Sequence, residues 1–227
     1  MEQERDIEGA VLDAALIHVA FDGWSEATVR AAISDSGVEA ALARALFPRG
    51  AVDLALAYHR RGDREMTERL APGELAAMRY SQRVATLIRQ RLEVADKEAV
   101  RRGMTLFALP MHAADGVRAL WGTSDAIWQA LGDTSDDLSW YTKRATLSAV
   151  YGSAVLFWLG DDSSGHKATW DFVARRIDNV MQVEKVKAAV RENPLGRALM
   201  AGPTWLAGMV RAPKPDPDLP GRMADKV

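Results

Sequence analysis

Apolar residues recur with a period near 3.6 along almost the whole chain, which is the spacing of an α-helix. No convincing polar and apolar alternation or Asn-Gly turn indicates a β-hairpin. The sequence therefore predicts an all-α protein. Its 227 residues suffice for a small domain joined to a larger one.

The first quarter of the chain has the outline of a helix-turn-helix. We expect a helix over Ile7 to Phe21, a second one capped by Ser25, and a third over Val38 to Leu46 after the turn at Gly37. The apolar side of the first helix is predicted to carry Ile7, Val11, Ala14, Ala15, Ile17, His18 and Phe21. With the Gly37-Val38 turn and the closing Phe47, this region resembles the N-terminal region of TetR-type regulators. The resemblance implies a TetR-like fold, with a helix-turn-helix over residues 1–47 and a ligand-binding helical bundle over residues 48–191.

Seven further segments are predicted to be helical and are separated by Gly or Pro. One of them begins at Ser135, whose hydroxyl is the expected N-cap, and reaches Leu159. The others cover Ala51 to Arg61, Gly73 to Val94, Lys97 to Ala108, Met111 to Trp121, Ser124 to Leu131 and Lys167 to Val190.

The charge of the N-terminal region argues against DNA as a partner. Residues 1–50 contain four basic and nine acidic side chains, whereas DNA binding needs cations that face phosphates. Arg44 is the one base-reading candidate in the third helix. We expect this helix-turn-helix to be vestigial, and a TetR-type transcriptional regulator with a hydrophobic ligand stays as the alternative function.

The segment from Trp121 onward resembles the COQ-nine family, lipid-binding accessory proteins of ubiquinone biosynthesis that are themselves TetR-like in fold. The matching features fall in order with small gaps: Asp133-Thr134-Ser135, Asp137, the run from Trp140 to Arg144, Tyr151, the Asp161 to Ser164 turn, Trp170-Asp171-Phe172 and Arg176-Ile177-Asp178. The resemblance implies a non-catalytic protein that binds isoprenoid quinone intermediates or phospholipid and presents them to the demethoxyubiquinone hydroxylase. It also implies a lipid contact at Arg144, Trp140 and Tyr141, and a partner-facing patch of Asp137, Trp140 and Tyr141.

Helical spacing alone leaves the role of these residues open. Asp137, Trp140, Arg144, Leu147 and Tyr151 lie along one stripe of their helix. An aromatic ring beside an arginine suits the edge of a lipid pocket. In the alternative, Trp140 packs inside the bundle and Arg144 pairs with an acid.

The segment over residues 193–211 is predicted to be an amphipathic helix that lies on a membrane surface. Between Asn193 and Lys214 there are three basic residues and no acidic one. The predicted membrane-associating residues are Leu195, Leu199, Trp205, Leu206 and Met209. The proline-rich residues 212–227 are predicted to be a disordered tail.

Composition excludes several kinds of chemistry. The chain has no cysteine, and its four histidines are not spaced like metal ligands, so we expect no cofactor and no metal. The acidic N-terminus resembles neither a secretory signal nor a transit peptide. We expect a protein that is cytoplasmic, peripheral at the inner membrane and homodimeric.

Overall fold

The computed structural model describes residues 2–70 and 73–192. These residues form nine α-helices and two short 3₁₀ helices, and they contain no strand. The α-helices are α1 (Glu2–Asp22), α2 (Glu26–Ser36), α3 (Ala40–Leu46), α4 (Ala51–Glu68), α5 (Tyr80–Glu93), α6 (Lys97–Phe107), α7 (Ala113–Ala130), α8 (Leu138–Leu159) and α9 (Lys167–Glu192). The prediction of an all-α fold is confirmed.

The first three helices form a helix-turn-helix unit. Ser25 caps α2 by accepting a hydrogen bond from the backbone N–H of Thr28, and Gly37 ends α2 in the left-handed conformation, with φ of 67°. A side chain at that φ would be strained, which accounts for glycine in the turn before α3. This unit shares one hydrophobic core with the first half of α4 and the start of α6.

A second core lies inside the larger bundle. It contains Leu87 and Ile88 of α5, Ile127 of α7, and further buried residues of α4, α8 and α9. Helix α4 contributes to both cores, through Leu54 and Met66. The bundle is therefore joined to the N-terminal unit by a shared helix.

Two predictions of where helices break were wrong, and α4 runs to Glu68 instead of ending near Arg61. The expected break after Trp121 is absent: α7 continues through it, and the hydroxyl of Ser124 donates to the carbonyl of Leu120 one turn earlier. The single helix predicted from Gly73 is instead a 3₁₀ turn over Leu75–Ala77 followed by α5, because Arg79 has an extended backbone.

The predicted apolar face of α1 was partly wrong. Val11 and Ala15 are buried, but the side chains of Ile17 and Phe21 are 69% and 85% exposed. The buried positions follow Val11, Ala15 and Val19, which are one turn apart, and Ile17 and Phe21 lie off that stripe.

The predicted amphipathic helix over residues 193–211, with Leu195, Leu199, Trp205, Leu206 and Met209, lies outside the described residues, as does the predicted tail. Within residues 2–70 and 73–192, no helix has the length and apolar character needed to cross a membrane.

Candidate functional site

An apolar cavity of about 460 Å³ lies among α4, the end of α5, α6, α7 and α8. This volume is within the range of about 300 to 1,000 Å³ that is typical of small-molecule sites. Most of its lining is aliphatic or aromatic, with Leu92, Leu120 and Val155 among the contributing side chains. The glycines Gly103, Gly116 and Gly152 also line it, and a Cβ atom on Gly116 would lie only 2.8 Å from Phe107, so this glycine lets α6 and α7 approach closely.

One part of the cavity wall is polar. Tyr58, His59, Arg91 and Tyr151 are in the lining, and both Arg91 and Tyr151 are 3% exposed. Arg91 donates from Nε to Asp63 Oδ1 at 2.6 Å and from Nη2 to the backbone carbonyl of His59 at 3.0 Å. We call Asp63, His59, Arg91, Thr123 and Tyr151 the cavity polar cluster.

A glycine makes room for the buried guanidinium. A Cβ atom on Gly62 would lie 2.6 Å from Cζ and Nη1 of Arg91, closer than real side-chain contacts allow. Helix α4 therefore accepts the cost of an internal glycine, about 0.5 to 1 kcal/mol relative to alanine, at the place where Arg91 packs.

His59 is held in its neutral form. Burial, together with the nearby positive charge of Arg91, lowers the pKa of His59 to about 4. Its Nε2 lies 3.0 Å from the carbonyl of Ala119 and 2.8 Å from Oγ1 of Thr123, which itself donates to Asp63. Arg91 and Asp63 balance each other, so the cavity polar cluster is close to neutral overall.

The exposed rim of the cavity is apolar. Met104 of α6, Val117 of α7 and Leu156 of α8 all belong to the lining and are exposed. Leu109 and Met111, in the connection between α6 and α7, are exposed as well. An apolar compound is therefore not forced to cross a charged rim on its way in.

The structure places Arg144 in a different polar cluster, at the start of α8. Its side chain is 3% exposed and donates from Nε to Asp125 at 2.6 Å and from Nη1 to Asp133 at 3.1 Å. Burial opposes ionisation of Asp133, but hydrogen bonds from Lys143, Ser135 and Arg144 prevail and lower its pKa to about 2. We call Asp125, Asp133, Lys143 and Arg144 the α8 ion cluster.

Trp140 and Tyr141 lie together at the surface beside this cluster. The Arg144 guanidinium sits 4.0 Å from the centroid of the Trp140 ring, and the rings of Trp140 and Tyr141 meet edge to face at 4.8 Å. Trp121 of α7 contacts both rings. The three half-buried rings form one surface, which we call the aromatic patch.

Asp137 lies next to the aromatic patch and begins α8. Its carboxylate accepts a hydrogen bond from the backbone N–H of Ser139 at 2.8 Å, so Asp137 is the N-cap. The prediction that Ser135 caps this helix was wrong, because the Ser135 hydroxyl donates to Asp133 instead. The lipid and partner roles of Asp137, Trp140, Tyr141 and Arg144 stay predictions.

A second cavity, also about 460 Å³, lies between α5, α8 and α9. Val84, Leu147 and Ile177 contribute to its apolar wall, and Asp137 and Lys143 lie at its polar part. The indole Nε1 of Trp128, in the same lining, is buried without a hydrogen-bond partner among the described residues.

The Asp161-Asp162 pair forms a turn, as its sequence indicated. The Asp161 carboxylate accepts hydrogen bonds from the backbone of Ser163 and from both the backbone and hydroxyl of Thr169. These bonds lower the pKa of Asp161. The described residues include no group of His, Asp and Glu side chains arranged to hold a metal ion.

Comparison with known proteins identifies the family. A family model described as COQ9 matches residues 113–184, which run from α7 into α9. The ubiquinone biosynthesis protein coq9, mitochondrial, of Schizosaccharomyces pombe is 31% identical over 185 residues, covering 80% of this chain and 73% of that protein. The chain belongs to the COQ9 family.

Other COQ9 relatives are longer than the matched region. The Drosophila melanogaster COQ9 protein is 29% identical over 184 residues, and the human one is 26% identical over 210 residues. The matched region covers 78% and 88% of this chain but 56% and 65% of those relatives. The resemblance stated from the motifs around Trp140 and Tyr151 is confirmed.

The fold also matches a solved structure. A TetR transcriptional regulator from Nitrosomonas europaea superposes with a TM-score of 0.60 at 19% identity, over 76% of this chain and 97% of that one. At this identity the match concerns the fold alone, and it confirms the predicted TetR-like architecture.

Sequence reasoning missed the cavity polar cluster. His59 and Asp63 are spaced i, i+4 on α4, and Ala55 lies one turn before His59. The signal available in the sequence was that two polar residues, His59 and Asp63, continue the apolar stripe of α4. Arg91, the partner of Asp63, is 28 residues further along the chain, and only the folded structure brings the two together.

Proposed function

We propose that this chain is a non-catalytic accessory protein of ubiquinone biosynthesis. In this proposal it binds an isoprenoid quinone intermediate or a phospholipid and presents the quinone precursor to the demethoxyubiquinone hydroxylase. The COQ9 relatives are named as ubiquinone biosynthesis proteins, which supports a role for this chain in that pathway. We further propose that the protein is homodimeric, cytoplasmic and peripheral at the inner membrane.

The apolar cavity among α4, α5, α6, α7 and α8 is the observation that carries the proposal. Burial of apolar surface stabilises a bound hydrocarbon by about 0.8 kcal/mol per methylene, so a prenyl tail needs few polar contacts. The exposed Met104, Val117 and Leu156 offer such a tail a continuous apolar route into the cavity.

Lipid binding can be tested by comparing substitutions at two glycines, one in the cavity wall and one at the surface. Gly152 of α8 lines the cavity, and a Cβ atom there would meet Leu120 at an ordinary 3.7 Å. Gly122 of α7 is exposed and has no atom within 4 Å of such a Cβ. Gly152→Leu is expected to fill cavity space, whereas Gly122→Leu adds the same side chain at the surface.

The measurement is organic extraction of the purified proteins followed by mass spectrometry. We expect prenylated quinone precursors or phospholipid in the wild type and in Gly122→Leu, and at least a fivefold loss in Gly152→Leu. Wild-type protein that carries no lipid, even after incubation with vesicles, would refute the proposal. Equal lipid in both variants would instead move the ligand out of this cavity.

The aromatic patch is the proposed contact for the hydroxylase. Half-buried aromatic rings that already pack on one another lose little freedom on binding, and aromatic residues are enriched among interface hot spots. The family resemblance assigns Asp137 to the same partner-facing surface. Arg144→Glu is a poor probe of this contact because it would bring a third carboxylate to Asp125 and Asp133.

Two conservative changes test the patch instead. Asp137→Asn removes the charge but retains a good N-cap, and the neighbouring Asp136→Asn is its matched control. Trp140→Ala removes the central ring. In a pull-down with purified hydroxylase, we expect Trp140→Ala to weaken binding about tenfold or more, Asp137→Asn to weaken it less, and Asp136→Asn to change little. Unchanged binding by Trp140→Ala would exclude the patch.

The fold match to a TetR regulator keeps DNA binding as a second candidate. Arg44, the base-reading candidate on α3, forms an ion pair with Glu26 of α2. The acidic composition of residues 1–50 also opposes binding to phosphates. We expect no operator shift in a selection from genomic fragments at low salt. A palindromic site bound with a steep salt dependence would favour the regulator.

A further inference from the structure

We propose that the cavity polar cluster receives the neutral, oxygen-bearing ring of the ligand, and that the hydrocarbon tail lies toward the apolar rim. Arg91 and Tyr151 would donate hydrogen bonds to a ring oxygen such as a quinone carbonyl, a phenol or a methoxy group. This inference rests on the proposed function, because it assumes that the cavity holds a lipid.

The cluster has more hydrogen-bond donors than acceptors. A guanidinium carries five N–H groups. The described contacts of Arg91 are made by Nε, to Asp63, and by Nη2, to the carbonyl of His59; no hydrogen bond from Nη1 is found within residues 2–70 and 73–192. Asp63 also accepts from Thr123. Because Arg91 lies in the cavity wall and its Nη1 has no such partner among the described residues, this wall is suited to a ligand that brings an acceptor.

Tyr151 adds a second hydroxyl group at the same wall. It is buried on α8, and burial raises the pKa of its phenol, so it remains protonated at neutral pH. Tyr58, also in the lining, has its hydroxyl at the loop before α6, where its oxygen accepts the backbone N–H of Asp96 at 2.7 Å, whereas the hydroxyl of Tyr151 interacts with Thr123 of the cavity polar cluster. Among the lining tyrosines, Tyr151 is thus the better candidate for a ligand contact.

The charge of the cluster favours a neutral ring over a phosphate head. Arg91 is matched by the carboxylate of Asp63, and His59 is uncharged. A phosphate would add negative charge to a buried neutral site where Arg91 is the one arginine or lysine among the described lining residues, and this is unfavourable. A quinone or phenol adds acceptor atoms without adding charge.

The positions of the polar and exposed apolar residues give the ligand a direction. On α8, Leu156 at the rim is five residues beyond Tyr151, about 7.5 Å along the helix axis. Met104 and Val117, on α6 and α7, complete the exposed part of the lining. A ring at Tyr151 therefore leaves its tail among apolar side chains that open to the outside.

A competition experiment with three probes of equal tail length tests the inference. Purified full-length chain is incubated with phosphatidylcholine vesicles that contain equimolar 2,3-dimethoxy-5-methyl-6-decyl-1,4-benzoquinone, decylbenzene and decyl phosphate. The protein is then re-isolated, extracted and assayed by chromatography. We expect the bound quinone to exceed each of the other two probes by about tenfold, the equivalent of one or two good hydrogen bonds.

Three variants separate recognition of the ring from cavity shape. Tyr151→Phe removes one hydroxyl without changing volume, and Arg91→Lys keeps the charge but reduces the donors. Both are expected to lower the ratio of bound quinone to bound decylbenzene about three- to tenfold while leaving decylbenzene unchanged. Tyr80→Phe, which removes a hydroxyl outside this cavity, is the matched control and should keep the wild-type ratio.

The outcomes distinguish this inference from the proposed function. If no probe binds the wild type, both fail. If all probes bind and neither Tyr151→Phe nor Arg91→Lys changes the ratio, the cavity holds a lipid but the polar cluster does not recognise its ring. A wild type that prefers decyl phosphate would overturn the inference in favour of a phosphate head.

Discussion

Arg91 and Arg144 are both buried, both paired with aspartate and both on helices of the same bundle, yet they lie in different surroundings. Arg91 lines an apolar cavity and has one carboxylate partner, Asp63. Arg144 is absent from the lining of both 460 Å³ cavities; it has two carboxylate partners and lies under the Trp140 ring.

This difference suits the two arginines to different roles: Arg91 to recognising a ligand, and Arg144 to holding α8 against its neighbours. The hydrogen bonds of Arg144 join α8 to α7 at Asp125 and to the loop at Asp133, and its side chain borders neither cavity. Arg91 keeps donor capacity at a cavity wall. The sequence motifs pointed to Arg144, whereas the geometry of the cavity points to Arg91.

The largest expected effect is on stability, from removal of either arginine. Arg91→Met leaves the carboxylate of Asp63 without its cation and should lower the free energy of unfolding by about 3 to 5 kcal/mol in urea titrations. Arg144→Met should lower it somewhat less, because Lys143 still pairs with Asp133. Adding Asp63→Leu to Arg91→Met should restore most of the loss. Adding Asp133→Leu to Arg144→Met should restore less, because Asp125 remains and Lys143 loses its partner. Equal recovery of the free energy of unfolding in the two double variants would show that the surroundings of the two arginines do not differ in this way.

The next effect is a pH dependence that belongs to the cavity polar cluster. The pKa of His59 is about 4 in the folded protein, below the ordinary value of 6.5. As the pH falls, His59 is therefore protonated first in the unfolded chain. The contribution of neutral His59 to the free energy of unfolding is complete above pH 6.5 and is lost as the pH falls toward 4. The loss should reach about 3 kcal/mol, and urea titrations between these pH values should detect it.

His59→Gln provides the comparison because glutamine does not titrate in this range and can still donate to the carbonyl of Ala119. The difference in unfolding free energy between wild type and His59→Gln should change with pH from 6.5 to 4 in the direction that favours the variant. A constant difference would mean that His59 is not held neutral by its surroundings.

How far the sequence could predict this molecule depended on the range of the interactions. The all-α class and the Ser25 cap were predicted from local patterns, and the family from the motifs around Trp140. The cap of α8 was misassigned because Ser135 and Asp137 are both good caps, and the choice depends on Asp133 binding Ser135. The pairing of Asp63 with Arg91 depends on how α4 packs against α5, which periodicity does not reveal.

The α8 ion cluster should make stability depend on pH in a lower range than the cavity polar cluster does. The pKa of Asp133 is lowered from 3.8 to about 2, so its contribution is complete above pH 3.8 and is lost as the pH falls toward 2. Wild-type protein should lose about 2 kcal/mol of stability there. Asp133→Asn should lack this loss while keeping the His59 dependence between pH 6.5 and 4. Loss of both dependences in Asp133→Asn would show that the two clusters are coupled.

The smallest expected effect concerns the cap of α8, on which the position of the aromatic patch depends. Asp137→Ala removes the acceptor for the N–H of Ser139 and should cost about 1 kcal/mol, with partial loss of order at Trp140, one turn into the helix. Asp137→Asn should retain most of that stability because asparagine caps a helix about as well. Tryptophan near-UV circular dichroism and thermal unfolding measure the two effects together. If Asp137→Ala left both unchanged while Asp137→Asn weakened hydroxylase binding, the carboxylate would act through its charge alone, and the aromatic patch would owe its position to Arg144 rather than to the helix cap.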